Sequence, residues 1–140
     1  MKTYTCTHEV HYYETDQMKV VHHSNYIRWF EEARVNFLNQ IGYPYDVFEN
    51  ELKLISPVLE VHCEYRSMVR FGETVDITAR VESSNGIKLK FLYEVRDHQT
   101  GELRTTGSSS HCFLNEEGRP ISLKREQPEL FNILKECCAV

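Results

Sequence analysis

The 140-residue sequence lacks the features that mark several large classes of protein. It has no apolar run near the ~20 residues of a membrane-spanning helix, and its N-terminus has no apolar core of the kind found in signal peptides. Five cysteines are present, but none forms a Cys-x-x-Cys pair, and an odd number cannot pair completely in disulfides. We therefore expect reduced thiols, a cytoplasmic location, no membrane partner and no structural zinc.

Positive charge is scarce as well. The chain has 16 Lys and Arg residues against 21 Asp and Glu residues, a formal net charge of −5 with neutral histidines. Because phosphate-rich surfaces select basic proteins, we expect no nucleic-acid partner. A local basic patch that meets a small phosphorylated ligand remains compatible with this balance.

The seven histidines lack the common spacings of metal ligands. No His-x-x-x-His or His-Glu-x-x-His pattern occurs, so neither a metal nor another cofactor is predicted. The serines at positions 108–110 lack the Gly-x-Ser-x-Gly context of a nucleophile elbow, so they do not indicate a serine hydrolase.

The composition that is present, 41% hydrophobic and 26% charged, is that of one globular domain over residues 1–140. The strongest helical pattern spans residues 24–41, with Ser24 or Asn25 as the expected N-cap and Gly42 at the C-terminal end. Its apolar stripe recurs at helical spacing and consists of Tyr26, Phe30, Ala33, Phe37 and Ile41, widened by Ile27 and Leu38.

Five strands are predicted, at residues 3–13, 55–65, 74–82, 87–96 and 103–114. The first is rich in β-branched and aromatic residues, and the middle three alternate apolar and polar residues. Asn85-Gly86 is a hairpin signal, and the other short connections also favour antiparallel pairing. Gly107 and the serines after it would let a helix approach the last strand closely. A short helix after Pro44 and a C-terminal helix at 127–138 complete the pattern. We predict an α+β fold in which the sheet curves around one long helix.

Asp16 lies in a polar loop just before the start of the long helix. The first N–H groups of a helix have no intrahelical partner and carry partial positive charge. Such groups can stabilise a carbonyl oxygen that becomes negative, beside a carboxylate that attacks or removes a proton. The alternative is an ordinary loop aspartate in an Asx-turn.

The sequence resembles the hotdog-fold acyl-CoA thioesterases of the 4-hydroxybenzoyl-CoA thioesterase type. The resemblance is carried by Tyr13-Glu14-Thr15-Asp16, Val20-Val21, His23-Ser24-Asn25-Tyr26, Trp29-Phe30 and Glu32-Ala33-Arg34. Further matches are the stretch 65–73, the stretch 88–94 and Gly118-Arg119-Pro120. The resemblance implies a hotdog fold and an acyl-CoA thioester hydrolase. It implies that Asp16 is the catalytic carboxylate and that His23 offers its backbone N–H to the thioester oxygen.

One position departs from the family pattern. The family usually has glycine two or three residues after the acid, where this chain has Met18 and Lys19. Because glycine often marks a backbone conformation that other residues resist, the loop could run differently here. Lys19 could instead reach a phosphate or cover the pocket.

Four further residues are candidates for substrate binding. Asn25 and Tyr26 could line the acyl site, although a cap and a core residue are their ordinary roles. Lys88 and Lys90 form a basic row that would suit the phosphates of coenzyme A, or they are an exposed strand face with protective charges.

The sequence leaves several alternatives open. Asp16 could act as nucleophile or as general base, and the acyl group and its carrier are not readable. Competing functions are a hotdog hydratase or dehydratase and a non-catalytic acyl-CoA or acyl-carrier binding module. A single sheet with one helix leaves an edge strand and a broad face uncovered, so we expect self-association as a homodimer or homotetramer.

Overall fold

The computed structural model describes residues 1–138, in which five strands form one antiparallel sheet with the order β1-β3-β4-β5-β2. The strands are β1 (Thr3–Glu9), β2 (Val58–Tyr65), β3 (Thr74–Ser84), β4 (Leu89–Asp97) and β5 (Leu103–His111). The helices are α1 (Ser24–Gln40), α2 (Leu123–Glu126) and α3 (Pro128–Cys138), with a 3-10 turn at Tyr12–Glu14 and a π-helical turn at Val47–Glu51. The predicted α+β architecture is confirmed. Within residues 1–138, each helix is too short or too polar to cross a membrane.

Helix α1 packs its apolar stripe against the inner face of the sheet. Phe30, Ala33 and Phe37 are completely buried. The Phe37 ring meets Phe91 edge to face at 5.4 Å between centroids. The sheet supplies alternate buried residues, as the period of two predicts: Val75, Ile77, Ala79 and Val81 from β3, and Leu89, Phe91, Tyr93 and Val95 from β4.

Gly107 lets the helix approach the centre of β5. A Cβ atom at this position would collide with the Phe30 ring and would lie 2.7 Å from the carbonyl oxygen of His62. The Phe30 ring instead stacks on Tyr93 with centroids 4.4 Å apart. The expected close approach at the small-residue centre of this strand is therefore confirmed.

A chain of buried polar groups joins α1 to β4 and β5. Arg34 Nη1 donates to the Tyr93 hydroxyl at 3.1 Å, Tyr93 Oη lies 2.6 Å from Ser109 Oγ, and Ser109 Oγ lies 2.7 Å from His111 Nε2. A guanidinium only donates, and each of these hydrogen bonds has a donor and an acceptor when Tyr93 donates to Ser109 and Ser109 donates to His111. Burial and the charge of Arg34 lower the pKa of His111 to about 4, which matches an imidazole that accepts.

Several predicted boundaries and faces are wrong. Strand β1 ends at Glu9 instead of residue 13, because the chain turns into the 3-10 turn and leaves Tyr12 exposed. Ile27, expected in the apolar stripe, is about half exposed, since the buried stripe of α1 is narrower than its apolar pattern. Ile87, expected to begin the fourth strand, is also about half exposed, since β4 begins only at Leu89. Strand β2 begins at Val58 rather than 55, β5 ends at His111, and the C-terminal region contains two helices rather than one.

Gly107→Ala should lower the free energy of unfolding by about 1–3 kcal/mol, since the added methyl group overpacks the contact with Phe30. Urea unfolding followed by circular dichroism measures the change. Ser108→Ala, on the opposite face of the same strand, is the matched control and should change it by less than about 0.5 kcal/mol. Equal stability of the two variants would contradict the close packing of helix and strand.

His111 should make the protein less stable as the pH falls. Its pKa is about 4 in the folded chain against 6.5 in an exposed histidine, so the unfolded chain binds more protons between these values. The stabilisation is complete above pH 6.5 and is lost as the pH falls towards 4, by about 3 kcal/mol in total. Urea unfolding at a series of pH values measures how the free energy of unfolding changes with pH. The Gln side chain of His111→Gln still accepts from Ser109 but does not titrate, so this variant should show a smaller change between pH 6.5 and 4.

Candidate active site

Asp16 lies in a narrow hairpin-like loop between β1 and α1. The His22 N–H donates to the Glu14 carbonyl at 2.8 Å, and the Asp16 N–H donates to the Val20 carbonyl at 2.9 Å. At the tip, the Lys19 N–H donates to the Asp16 carbonyl at 2.9 Å, and Lys19 has a φ of +65°. The loop therefore closes through one residue in the left-handed region.

The two carboxylate oxygens of Asp16 have different surroundings. Oδ1 accepts the Met18 N–H at 2.8 Å, which is the Asx-turn expected of a loop aspartate. Oδ2 makes no hydrogen bond to any residue between 1 and 138. One oxygen thus orients the group, and the other is open to a ligand or to water.

The start of α1 is capped differently from the prediction. The helix begins at Ser24 with His23 as the cap residue, and neither Ser24 nor Asn25 acts as N-cap. The His23 side chain makes no capping hydrogen bond, and the Ser24 N–H donates instead to Nδ1 of the preceding His22 at 3.2 Å. The His23 N–H has no partner in the described part of the chain. It is a free donor at the positive end of the helix dipole.

Asp16 and His23 border the same open cleft, which we call the Tyr26 cleft and which has a volume of about 310 Å³. Its lining residues are Asp16, Val20, Val21, His23, Tyr26, Tyr65, Arg66, Ser67 and Met68. The Tyr65 hydroxyl donates to the His23 carbonyl at 3.1 Å. Burial raises the pKa of both Tyr26 and Tyr65 to about 12, so both hydroxyls keep their hydrogens at neutral pH.

Glu14 is a buried carboxylate two residues before Asp16. It accepts hydrogen bonds of 2.8 Å from the His11 N–H and from Trp29 Nε1, and His8 Nε2 lies 2.8 Å from its Oε1. Burial raises the pKa of Glu14, but these hydrogen bonds outweigh burial and hold the pKa below its usual value. The charged side chain therefore anchors the base of the Asp16 loop.

Asp16 also borders a second cleft on the β1 side of the loop, with a volume of about 590 Å³, which we call the His8 cleft. Its lining is rich in groups that ionise: His8, His11, Glu14, Asp16, His22, Arg28 and Glu32. Asp16 thus lies on the wall between two open spaces.

Comparisons with known proteins identify the family of this chain. Residues 10–132 match the family model described as the thioesterase-like superfamily. The chain belongs to this superfamily. The predicted family and the enzyme class of thioester hydrolase are confirmed.

Three members show the extent of the similarity. The Bacillus subtilis protein named "Putative acyl-CoA thioesterase YneP" is 34% identical over 122 residues, which cover 86% of this chain and 87% of that protein. The structure of DHNA-CoA thioesterase from Staphylococcus aureus is 32% identical, covers 95% of this chain and 89% of its own, and has a TM-score of 0.89. The hypothetical protein TT1821 from Thermus thermophilus is also 32% identical, covers 99% and 100% of the two chains, and has a TM-score of 0.88.

Of the predicted site residues, Asp16, His23 and Tyr26 lie together at the Tyr26 cleft. Asn25 lies on the His8 cleft with its amide already paired. Its Nδ2 donates to the Glu14 carbonyl at 2.8 Å, and its Oδ1 accepts from Arg28 at 3.0 Å. Asn25 therefore ties the helix to the Asp16 loop, and its side chain is not free for a substrate.

Lys88 and Lys90 do not reach the Tyr26 cleft of their own chain. Lys90 faces Ser110 near one end of β5, whereas Tyr65 pairs with Thr105 near the other end. Ser110 and Thr105 are five residues apart along β5, which is a distance of about 17 Å. The lysines therefore lie away from the residues that line the Tyr26 cleft, and their contact with coenzyme A phosphates stays a prediction.

Two residues that border or support the site, Arg66 and Glu14, were missed. Arg66 lines the cleft beside Tyr65 because β2 ends next to the start of α1, and no local pattern marks that meeting. Glu14 is buried because His8 and Trp29, distant in sequence, converge on it. Its only signal in the sequence was its place in the motif, two residues before Asp16.

Lys19 is one of the two positions, with Met18, at which the resemblance led us to expect glycine, and it adopts a backbone conformation that glycine prefers. Lys19→Gly removes the strain of a non-glycine residue in the left-handed region, which is about 1–2 kcal/mol. It also gives the unfolded chain more conformational entropy, which lowers the free energy of unfolding by about 0.5–1 kcal/mol. We expect the free energy of unfolding to rise by up to about 1 kcal/mol. Lys19→Val should lower it, because β-branched residues resist positive φ. Urea unfolding of both variants compares them, and the reverse order would contradict the loop geometry.

Proposed function

We propose that this protein hydrolyses acyl-CoA thioesters to a free acid and coenzyme A. The observation that carries the proposal is that Asp16 and His23 both line the Tyr26 cleft, and that Asp16 Oδ2 and the His23 N–H have no hydrogen-bond partner among residues 1–138. Thioester hydrolysis needs an attacking oxygen or a base, and it needs a donor for the oxyanion. The names of the Bacillus subtilis and Staphylococcus aureus relatives support the same reaction.

In this mechanism the thioester carbonyl binds with its oxygen at the His23 N–H. That donor has no competing partner among the described residues, and the helix dipole adds positive potential as negative charge develops on the oxygen. Asp16 then acts in one of two ways. Its Oδ2 attacks the carbonyl carbon and forms a mixed anhydride that water hydrolyses, or it removes a proton from an attacking water. The coenzyme A thiolate leaves in both routes.

The loop contacts support this assignment of roles. The Met18 N–H holds Oδ1 of Asp16 at 2.8 Å, so the free oxygen has a defined direction. The Tyr65 hydroxyl donates to the His23 carbonyl at 3.1 Å, which helps to fix the backbone of the residue whose N–H is the proposed oxyanion donor. A site whose donor and acceptor are fixed before the substrate binds loses less free energy to ordering in the transition state.

Asp16→Asn should lower the rate of thiol release from acyl-CoA at least about 100-fold, since the amide neither attacks nor accepts the proton. The assay mixes the protein with a panel of acyl-CoAs and a thiol reagent. Asp46→Asn, on an exposed residue of the connector after α1, is the matched control and should keep the wild-type rate. A wild-type rate of thiol release in the Asp16→Asn variant would contradict the catalytic role of Asp16.

The same panel separates the competing functions. A hydratase would change an enoyl chromophore without releasing thiol, and a binding module would do neither. The panel includes aryl as well as alkyl acyl-CoAs, because the Tyr26 and Tyr65 rings line the cleft 5.1 Å apart. The name of the Staphylococcus aureus relative also specifies an aryl substrate. The cytoplasmic location stays a prediction.

We further propose that the active form is a homodimer or homotetramer. Strand β2 is an edge of the sheet with exposed apolar side chains at Val58, Leu59 and Tyr65. An unpaired apolar edge usually needs a partner. Tyr65 also borders the Tyr26 cleft, so a second chain on this edge would adjoin the site.

Light scattering should therefore give a mass of at least two chains. Leu59→Asp should shift the population towards the monomer, because it places a charge on the apolar edge. Thr3→Asp, on the opposite edge strand β1, is the control and should leave the mass unchanged. A wild-type monomer at assay concentration would contradict the proposal.

A further inference from the structure

His8, His11 and Glu14 form a compact group at one end of the His8 cleft. One ligand atom from each residue lies within 4.8 Å of the other two. Their spacing, His-x-x-His-x-x-Glu, is not a helical metal motif, which is why the sequence patterns do not reveal it. The residues meet because β1 ends after His8 and the chain folds back through the 3-10 turn that ends at Glu14.

The turn holds this arrangement without help from a ligand. The His11 N–H donates to Glu14 Oε1 at 2.8 Å, which fixes the carboxylate over the start of the turn. Trp29 Nε1 donates to Glu14 Oε2 at 2.8 Å from the helix side. Each carboxylate oxygen keeps a further lone pair, and Oε1 directs one towards His8 Nε2 at 2.8 Å.

The surroundings match those of a metal-binding histidine. In metal sites, the ring nitrogen that does not bind the ion commonly donates its N–H to a carboxylate. His8 has such a partner, because its Nδ1 lies 3.2 Å from Glu32 Oε2. If an ion replaces the hydrogen that Nε2 shares with Glu14, the ring carries its hydrogen on Nδ1, where Glu32 accepts it.

The donor set fits zinc. Two imidazole nitrogens and one carboxylate oxygen are a known set of three protein ligands for Zn²⁺, which takes a fourth ligand in an open position. All three residues line the His8 cleft and His11 is exposed, so a fourth ligand can reach the group from that cleft. The carboxylates of Glu14, Glu32 and Asp16 around the cleft favour a divalent cation over an anion.

We propose that His8, His11 and Glu14 bind one zinc ion per chain. The site goes beyond the proposed hydrolysis, whose steps use only Asp16, the His23 N–H and water. Glu32 is a positioning residue of the zinc site, because it contacts His8 rather than the ion.

Isothermal titration calorimetry of the chelator-treated full chain with zinc chloride tests the proposal. We expect one ion per chain for the wild type and an affinity at least 10-fold lower for His11→Ala, whose exposed side chain can be removed without disturbing the core. Glu32→Ala should lower the affinity about 10- to 100-fold. His62→Ala, which removes an exposed histidine beside Glu64, is the matched control and should bind as the wild type does.

Cobalt(II) absorption identifies the ligands, because the five free cysteines offer a competing thiolate site. The expected spectrum lacks thiolate charge-transfer bands. The proposal is overturned if no ion binds, if His11→Ala binds as tightly as the wild type, or if thiolate bands dominate. Asp16→Asn should retain zinc binding, so a failure of the hydrolysis proposal and a failure of the zinc proposal give different results.

Discussion

The buried carboxylate of Glu14 is the constraint on which the candidate site depends. A buried charge is costly unless hydrogen bonds replace its hydration, and here His11, Trp29 and His8 supply them. The same residue uses its backbone carbonyl to accept the His22 N–H and the Asn25 amide. Strand β1, the loop and α1 are therefore held at one residue. The directions of Asp16 and of the helix start follow from that junction.

Helix α1 has two functions that the fold makes compatible. Its middle is a core element, locked to the sheet by the Phe30 contact over Gly107 and by the bond from Arg34 to Tyr93. Its first turn is a polar end with the unpartnered His23 N–H. Because the core fixes the position of α1, the His23 N–H keeps a fixed position relative to β2, whose Tyr65 contacts the His23 carbonyl. A rigid core element thus places a group suited to catalysis at the seam between helix and sheet.

Much of the fold was predictable, because burial imposes a period on each element. Phe30, Ala33 and Phe37 followed the helical period, and the inward residues of β3 and β4 followed the period of two. The predictions were wrong for two apolar residues of different kinds. Ile27, expected in the buried stripe, lies outside the part that the sheet covers. Tyr12, expected in the first strand, lies in a turn beside Phe71, with ring centroids 5.6 Å apart. The spacing of apolar residues in the sequence predicts which residues can be buried. How much of the apolar stripe of α1 is covered depends on how the sheet packs against it.

By itself, the sequence determined the order of elements, the family, and the placement of Asp16 one short loop before the start of a long helix. These are local or additive properties of the chain. The tertiary structure decided that Oδ1 is held while Oδ2 is free, that His23 rather than Ser24 or Asn25 is the cap residue of the helix, and that Lys90 lies far from the cleft. It also decided that His8, His11 and Glu14 meet. The physical reason is that hydrogen-bond partners and clefts arise between segments distant in sequence, and a pattern along one segment carries no information on which other segment will meet it.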